Sequence, residues 1–465
     1  MKKVLIANRG EIACRIIRSC RDLAIPTVAV YSEVDKDAMH VALADESQAI
    51  GPAPARESYL RMSAILDAAR RSGADAIHPG YGFLAENERF ARSVIDAGMT
   101  WIGPRPETIA AMGDKDHARR LAEAAGVPVL PGSGRFVQGG TQDGTSAIDK
   151  AAETVGFPLL VKATGGGGGI GMQRVDEPSQ LAKAVASTQA LAERAFGDGT
   201  VYLERYVPKA RHLEIQLFGM GDGRVVHFFE RECTIQRRFQ KIIEESPAPG
   251  LAPDILDAMT RAATKLAAQE RYGGAGTVEF VFDDEAKRFY FLEMNTRIQV
   301  EHPVTEMTTG HDLVALQLRW ARGDDLSALT QERIQRCGHA IECRLYAENP
   351  SRNFLPAPGA LNVLEFPAAR IDCRVDTGVR AGDAITQFYD PLIAKICGSG
   401  TDRNRAIANT IEILAATRVE GLTTNLRFLV AVLRDPAFAA GEMDTRFVDT
   451  HKARLLLRMM EAAAG

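Results

Sequence analysis

The chain has 465 residues, 46% of them hydrophobic and 25% charged, with a formal net charge of -4. That composition supplies buried cores for roughly three domains of about 150 residues each, and it excludes a disordered chain. It also excludes the basic field that draws proteins to nucleic acid, and no run is long and apolar enough to span a bilayer.

The N-terminal MKKVLIANRGEIA carries an apolar stretch too short for a signal peptide, with Asn8, Arg9 and Glu11 directly behind it. It reads as a buried strand running into a loop. Up to residue 114, short apolar runs (VLIAN, TVAVY, AIHP, WIGP) alternate with helical stretches that begin near Glu11 and Tyr59. Such alternation predicts a Rossmann-like parallel sheet covered by helices. GxGxxG is absent behind the first strand, so a dinucleotide site has no support. Cys14, Cys20, Cys233, Cys337, Cys343, Cys373 and Cys397 show no CxxC spacing or paired framework. They read as reduced thiols of a cytosolic protein, without a zinc site.

From residue 115 the texture changes. The helical DKDHARRLAEAAG leads through a Gly-rich polar segment to a helix near 145–156 and the strand FPLLVKAT. The run Gly165–Gly169, a helix from Pro178 to Ala195 and the strand TVYLERYV follow, and the unit at about 132–206 reads as a small lid. Residues 207–330 give the strands HLEIQLFG, VVHFFERE, TVEFVFD and FYFLEMN; a mixed segment runs over 331–447, and a terminal helix and tail over 448–465.

Five consecutive glycines, Gly165, Gly166, Gly167, Gly168 and Gly169, leave backbone amides free to wrap phosphate oxygens. A Walker loop would run Gly-Lys-Ser/Thr into a helix, whereas this loop leads into the strand-like IGMQRV. Lys162, three residues upstream, would add positive charge for phosphates; a flexible linker is the alternative. In GTVEFVFDDEAKRFYFLEMNTR, two strands flank a polar turn. Period-2 alternation puts Glu279 and Val281 on one face of the first strand, and Phe289, Phe291, Glu293 and Asn295 on one face of the second. If the carboxylate faces coincide, Glu279, Glu293 and Asn295 make a hard-oxygen set suited to Mg²⁺ or Mn²⁺. Salt bridges to core arginines are the alternative. Just beyond, Arg297, Gln299 and Glu301 alternate along an extended segment, a row able to bind a small planar anion and offer a general base. Gln236, Arg237, Arg238 and Lys241 add charge upstream, while His212 alone reads as a core histidine.

HPGYGFLAEN (78–87), MGDK (112–115), KATGGGGGIGM (162–172), ARHLEIQ (210–216), QRRFQK (236–241), EMNTRIQVEHPVTE (293–306) and GHAIECRLYAENP (338–350) together resemble the motif set of biotin carboxylases. The resemblance runs in family order from about residue 3 to about residue 447. It implies an α/β ATP-grasp fold: a Rossmann-like domain (1–114), an ATP-grasp domain with its lid (115–330) and a C-terminal biotin carboxylase domain (331–447). It implies ATP at Lys115, Lys162, the loop Gly165–Gly169, Met172, Glu204, Val207, His212 and Gln236, with Mg²⁺ at Glu279, Glu293 and Asn295. It further implies bicarbonate at Lys241, Arg297, Gln299 and the Val300 backbone, Glu301 as base, and Arg344 stabilising a biotin enolate. Arg18 and Asp22, one helical turn apart, resemble part of the family's homodimer contact.

Two positions depart from the family's pattern. Phe239 stands where a histidine is frequent, and Ile170 where an arginine or lysine is frequent; both remove polar or positive character near ATP. A Met-Lys-Met biotin-attachment hairpin is absent from the sequence. The expectation is therefore a subunit that acts on a separate biotin carboxyl carrier protein beside a carboxyltransferase, in an acetyl- or propionyl-CoA carboxylase-type system. The alternatives are a urea, guanidine or pyruvate system, another ATP-grasp carboxylate–amine ligase, and a non-catalytic nucleotide-binding scaffold.

Overall fold

The computed structural model describes residues 1–137, 144–164, 171–368 and 370–461. Strands β1 (Val4–Ile6), β2 (Thr27–Ser32), β3 (Glu46–Gly51), β4 (Ala76–His78) and β5 (Thr100–Trp101) form a parallel sheet in the order β3-β2-β1-β4-β5. Helix α1 (Gly10–Asp22) follows β1. Central strand β1 is buried on both sides: Val4 and Ile6 enter one core, Leu5 and Ala7 another. A parallel strand covered by helices on both faces needs such an all-apolar run. The chain order reverses at β1, with β2 on one side and β4 on the other, so the loop at its C-terminal end opens into a crevice.

The helix expected from Tyr59 begins only at Met62. Tyr59 is instead fully buried, donating from its hydroxyl to Asp35 Oδ2 at 2.6 Å, which holds the preceding segment out of the helix.

The lid is an antiparallel sheet of β6 (Leu159–Ala163), β7 (Met172–Val175) and β8 (Val201–Arg205), ordered β7-β6-β8. Helices Gly144–Val155 and Leu181–Phe196 accompany it, and Leu159, Val161, Val175, Leu181, Val201 and Leu203 give it its own core. Gly165 to Gly169 and Ile170 lie outside the described residues.

One large antiparallel sheet carries the rest. Its strands β9 (Ala210–Met220), β10 (Val225–Arg237), β11 (Gln240–Ser246), β12 (Gly273–Asp283), β13 (Arg288–Asn295) and β14 (His339–Tyr346) are ordered β13-β12-β9-β10-β11-β14. The strands Leu392–Gly400 and Cys373–Thr377 extend it beyond β14. Period-2 alternation separates its faces. Leu213, Ile215 and Leu217 of β9 and Val278, Phe280 and Phe282 of β12 enter one core, leaving His212, Glu214, Gln216, Thr277 and Glu279 on the opposite face. In β14, Ile341, Cys343 and Leu345 are apolar core, so Glu342 and Arg344 share the other side.

The β12–β13 hairpin departs from strict alternation. Glu279 pairs with Glu293, but Phe280 pairs with Phe291, so Leu292 is an extra residue in β13. This bulge turns Phe291 into the core beside Phe280, on the face opposite Glu293 and Asn295; the four residues do not share one face as period 2 predicts. The bulge lets one short strand serve a core and a polar site in succession. Among the described residues, no helix is long and apolar enough to cross a membrane.

Candidate active site

A cavity of ≈ 790 Å³ lies between the β1–α1 loop, the lid and the large sheet. Asn8 to Ile12 wall one side; Lys115, Lys162 and Met172 approach from the lid side; His212, Gln236, Lys241, Glu279, Glu293, Asn295, Arg297, Gln299, Val300, Glu301 and Arg344 line the floor.

The floor is organised by cross-strand register. Arg231 faces Glu214, Glu214 faces Glu279, and Glu279 faces Glu293, a row across β10, β9, β12 and β13. Like charges directly opposite one another are destabilising, so a row of three carboxylates demands cations. Arg231 supplies one, with Nε 2.5 Å from Glu214 Oε1. Lys241 supplies the second: its Nζ donates to Glu214 Oε2 at 2.6 Å, Glu279 Oε1 at 2.9 Å and Glu301 Oε1 at 2.6 Å. Burial opposes charge on Lys241, but the three carboxylates outweigh it and raise its pKa well above the usual value. Burial would likewise raise the Glu279 carboxyl; Lys241 and then His212, whose Nε2 is 2.8 Å away, hold it well below. Glu293 differs: burial and the neighbouring Glu279 charge raise it, and Lys115 offsets them only in part.

The segment after β13 leaves the sheet. Glu301 sits in a turn at the residue before the helix His302–Thr309, rather than continuing an extended row from Arg297. The turn still brings the row together. Arg297 donates to Asn295 Oδ1 at 2.8 Å, to Gln299 Oε1 at 2.6 Å and to Glu86 Oε2 at 2.7 Å. Gln299 Nε2 and Asn295 Nδ2 both donate to Glu279 Oε1 at 2.9 Å. Glu301 Oε2 accepts from Arg344 Nη2 at 3.0 Å. Burial alone would raise the Glu301 carboxyl, but Lys241, Arg344 and Arg231 hold it well below the carboxylate range. The fully buried Lys395 donates to the Val300 carbonyl at 3.0 Å and fixes that turn from behind.

On the lid side, Lys162 Nζ lies 2.7 Å from Glu204 Oε1; burial opposes its charge, and Glu204 reverses the effect and raises the pKa. His212 is not a bland core residue, since Gln236 Nε2 lies 2.9 Å from its Nδ1 while its Nε2 faces Glu279. Val207 is apart: its side chain packs with Leu130 and Ala210 and does not line the cavity.

Sequence reasoning passed over Glu214, Arg231 and Glu86. Glu214 was visible in principle, because HLEIQ alternates His212, Glu214 and Gln216 against apolar partners. Arg231 and Glu86 carry no local pattern; only the register and the fold bring them in.

For a divalent cation, the donor set is chemically apt. Glu279, Glu293 and Asn295 offer hard oxygens on one patch, and the raised Glu293 carboxyl marks a place short of positive charge. These residues therefore fit a Mg²⁺ ion.

Three family models match along the chain: the biotin carboxylase N-terminal domain over residues 1–109, the carbamoyl-phosphate synthase L chain ATP-binding domain over 114–329, and the biotin carboxylase C-terminal domain over 342–450. Biotin carboxylase 1 of Bacillus subtilis is 47% identical over 451 residues, covering 97% of this chain and 99% of the relative. The methylcrotonoyl-CoA carboxylase subunit alpha of Oryza sativa is 47% identical over 465 residues, and the chain spans 62% of its length. A Campylobacter jejuni biotin carboxylase in complex with β,γ-ATP superposes with a TM-score of 0.91 at 41% identity, over 97% of this chain and 99% of that one. The biotin carboxylase domain dimer of Hydrogenobacter thermophilus 2-oxoglutarate carboxylase, with MgADP, ADP and bicarbonate, gives 0.92 at 40% identity over 98% of both chains. Matched from end to end by a biotin carboxylase at 47% identity, and by that family's N- and C-terminal models either side of an ATP-binding core, the chain belongs to the biotin carboxylase family.

Proposed function

We propose that this chain is a biotin carboxylase that spends ATP to activate bicarbonate and carboxylates biotin. The observation that carries the proposal is Glu301 held between Lys241 and Arg344, beside the Glu279–Glu293–Asn295 patch in one cavity. ATP would lie under the lid, its phosphates met by Lys115, Lys162 and the loop Gly165–Gly169, with Met172, Glu204, His212 and Gln236 around it. Glu279, Glu293 and Asn295 would hold Mg²⁺, which screens the phosphate charge. Lys241, Arg297, Gln299 and the Val300 backbone would seat bicarbonate, so that Glu301 takes its proton as the bicarbonate oxygen attacks the γ-phosphate. The P–O bond to ADP breaks and carboxyphosphate forms. Incoming anions compete for Lys241 and Arg344 and so release Glu301 from the cations that depress its basicity. Carboxyphosphate then yields CO₂ and phosphate; phosphate removes the N1 proton of biotin, Arg344 steadies the enolate, and N1 bonds to CO₂. Lid closure would keep water from carboxyphosphate.

The biotin would be presented by a carboxyl carrier protein outside these 465 residues, with a carboxyltransferase completing an acyl-CoA carboxylase-type complex in the cytoplasm. The matched methylcrotonoyl-CoA carboxylase subunits support that class of acceptor. A homodimer through the α1 surface, near Arg18 and Asp22, is in keeping with the dimer named for the Hydrogenobacter domain.

The test is ATP hydrolysis by the purified chain with and without bicarbonate and free biotin. Bicarbonate is expected to raise the rate about 10-fold or more; a rate indifferent to both additions rejects the proposal. Phe239 provides a second expectation. It lines the cavity, is 65% exposed, and holds a left-handed φ of 62° at the β10–β11 turn. Phe239→His is expected to tighten ATP binding about 5-fold by adding one hydrogen bond to phosphate. Calorimetry giving an unchanged Kd would remove the position from the nucleotide site.

A further inference from the structure

Behind the proposed base lies a pair of carboxylates that the reaction above does not use. Glu244 of β11 and Glu342 of β14 stand directly opposite in the antiparallel ladder, and both are 0% exposed. Residues opposite one another share a face, and two ionised carboxylates there would repel in a site without water to screen them. Arg344, two residues along β14, lies 2.6 Å from Glu244 Oε1 and 3.0 Å from Glu301 Oε2. The guanidinium is thus shared between the proposed base and a second carboxylate. The contact to Glu244 is an ion pair without hydrogen-bond geometry. Among the described residues, neither oxygen of Glu244 nor Oε1 of Glu342 has a hydrogen-bond partner. Among the same residues, Glu342 Oε2 accepts only from Cys397 Sγ, at 3.7 Å.

The geometry points to Glu244 as a positioning residue for Arg344, competing with Glu301 for the guanidinium, while Glu342 stays neutral and leaves that competition to one buried negative charge. This inference rests on the reading of Glu301 as base. The groups facing Glu244 are Arg344 from β14, Glu301 from the turn before the helix His302–Thr309, and Lys241 from its own strand. Cys233 of β10 and Cys343 of β14 also adjoin it, their thiols pushed well above the usual thiol range by burial. Glu342 stands opposite Cys397 in the ladder to Leu392–Gly400, and the charges that act on it are those of Lys395, Glu244, Arg344 and Glu301.

Burial raises the Glu244 carboxyl, Arg344 offsets part of this, and Glu301 adds to it, leaving the group pushed up to about 7. Burial lifts Glu342 well above the carboxylate range against the pull of Lys395, which favours its neutral form. The sign follows. Below pH 7 both are neutral and Arg344 rests on Glu301, weakening it as a base. Above pH 7 Glu244 loses its proton to bulk solvent and draws Arg344 toward itself, and Glu301 gains basicity.

At a fixed bicarbonate concentration, kcat for bicarbonate-dependent ATP hydrolysis is therefore expected to rise through pH 7. Glu244→Gln should lose that rise and lower kcat about 10-fold at pH 8, the effect of one pKa unit on the base, with KM for ATP unchanged. Glu342→Gln, which freezes the neutral form, should keep the rise and stay within about 2-fold of wild type. Glu244→Asp, which retains a titrating group but withdraws it from Arg344, should keep a pH-dependent limb at reduced kcat. It decides the matter if the glutamine variant has a lowered Tm. A Glu244→Gln profile that follows wild type overturns the inference, as does a Glu342→Gln loss equal to that of Glu244→Gln at unchanged Tm. If the wild type ignores bicarbonate, the base reading falls and this inference with it; if the wild type responds and neither variant at position 244 differs from it, only this inference falls.

Discussion

Glu301→Gln is expected to lower kcat for bicarbonate-dependent ATP hydrolysis about 100-fold or more, the usual worth of a positioned general base. The substitution keeps the shape of the side chain and removes one negative charge. Lys241 retains Glu214 and Glu279, and Arg344 retains Glu244, so no buried cation is left without a carboxylate. The fold should survive, with Tm close to that of wild type. ATP binding should change little, because Glu301 faces the side of the cavity proposed for bicarbonate and not the lid. A split of this kind, with kcat lost and nucleotide Kd kept, marks an interaction made in the transition state. Retention of kcat within about 3-fold would sink the assignment of Glu301 as base. Loss of ATP binding together with kcat would mean that the residue serves the electrostatics of the whole floor.

Much of this floor was legible in the sequence, and the exceptions share one physical cause. The parallel sheet around β1 could be read from alternating strand and helix patterns because those patterns are local. The residues of EMNTRIQVEH could be read because a dense run of charges beside a strand is itself a local signal. What could not be read is what depends on pairing between distant strands. The bulge at Leu292 changes which side chains share a face, and a bulge is decided by the partner strand. The row Arg231, Glu214, Glu279, Glu293 exists only because β9 lies between β10 and β12, an order the sequence does not carry. Glu244 and Glu342 meet for the same reason: β11 and β14 are far apart in sequence and adjacent in the sheet. Tyr59 fell on the wrong side of a helix start because its partner Asp35 belongs to another segment.

The largest loss of stability is expected at Arg231. Its side chain is fully buried, and it joins four elements: Nε to Glu214 of β9, Nη1 to Gln216 of β9 and Thr305 of the helix His302–Thr309, and Nη2 to Thr277 of β12, from its own place on β10. Arg231→Met fills a similar volume but strands Glu214 with Lys241 as its one remaining cation. Breaking a buried pair from one side costs about 3–5 kcal/mol, because the surviving charge stays desolvated. Scanning calorimetry should show the transition of the large sheet fall by about 10 °C. Arg70, more than half exposed and paired with an equally exposed Asp67, is the contrast: its alanine variant should cost about 1 kcal/mol or less. The double variant Arg231→Met/Glu214→Leu removes both charges and should recover most of the lost stability, since buried ion pairs are often replaceable by apolar side chains. It should not recover turnover. Without Glu214, Lys241 loses one of its three carboxylate anchors and is no longer fixed at the place proposed for bicarbonate. Stability returning without activity would show that the buried charges of this floor serve to place Lys241, and that the fold itself can do without them.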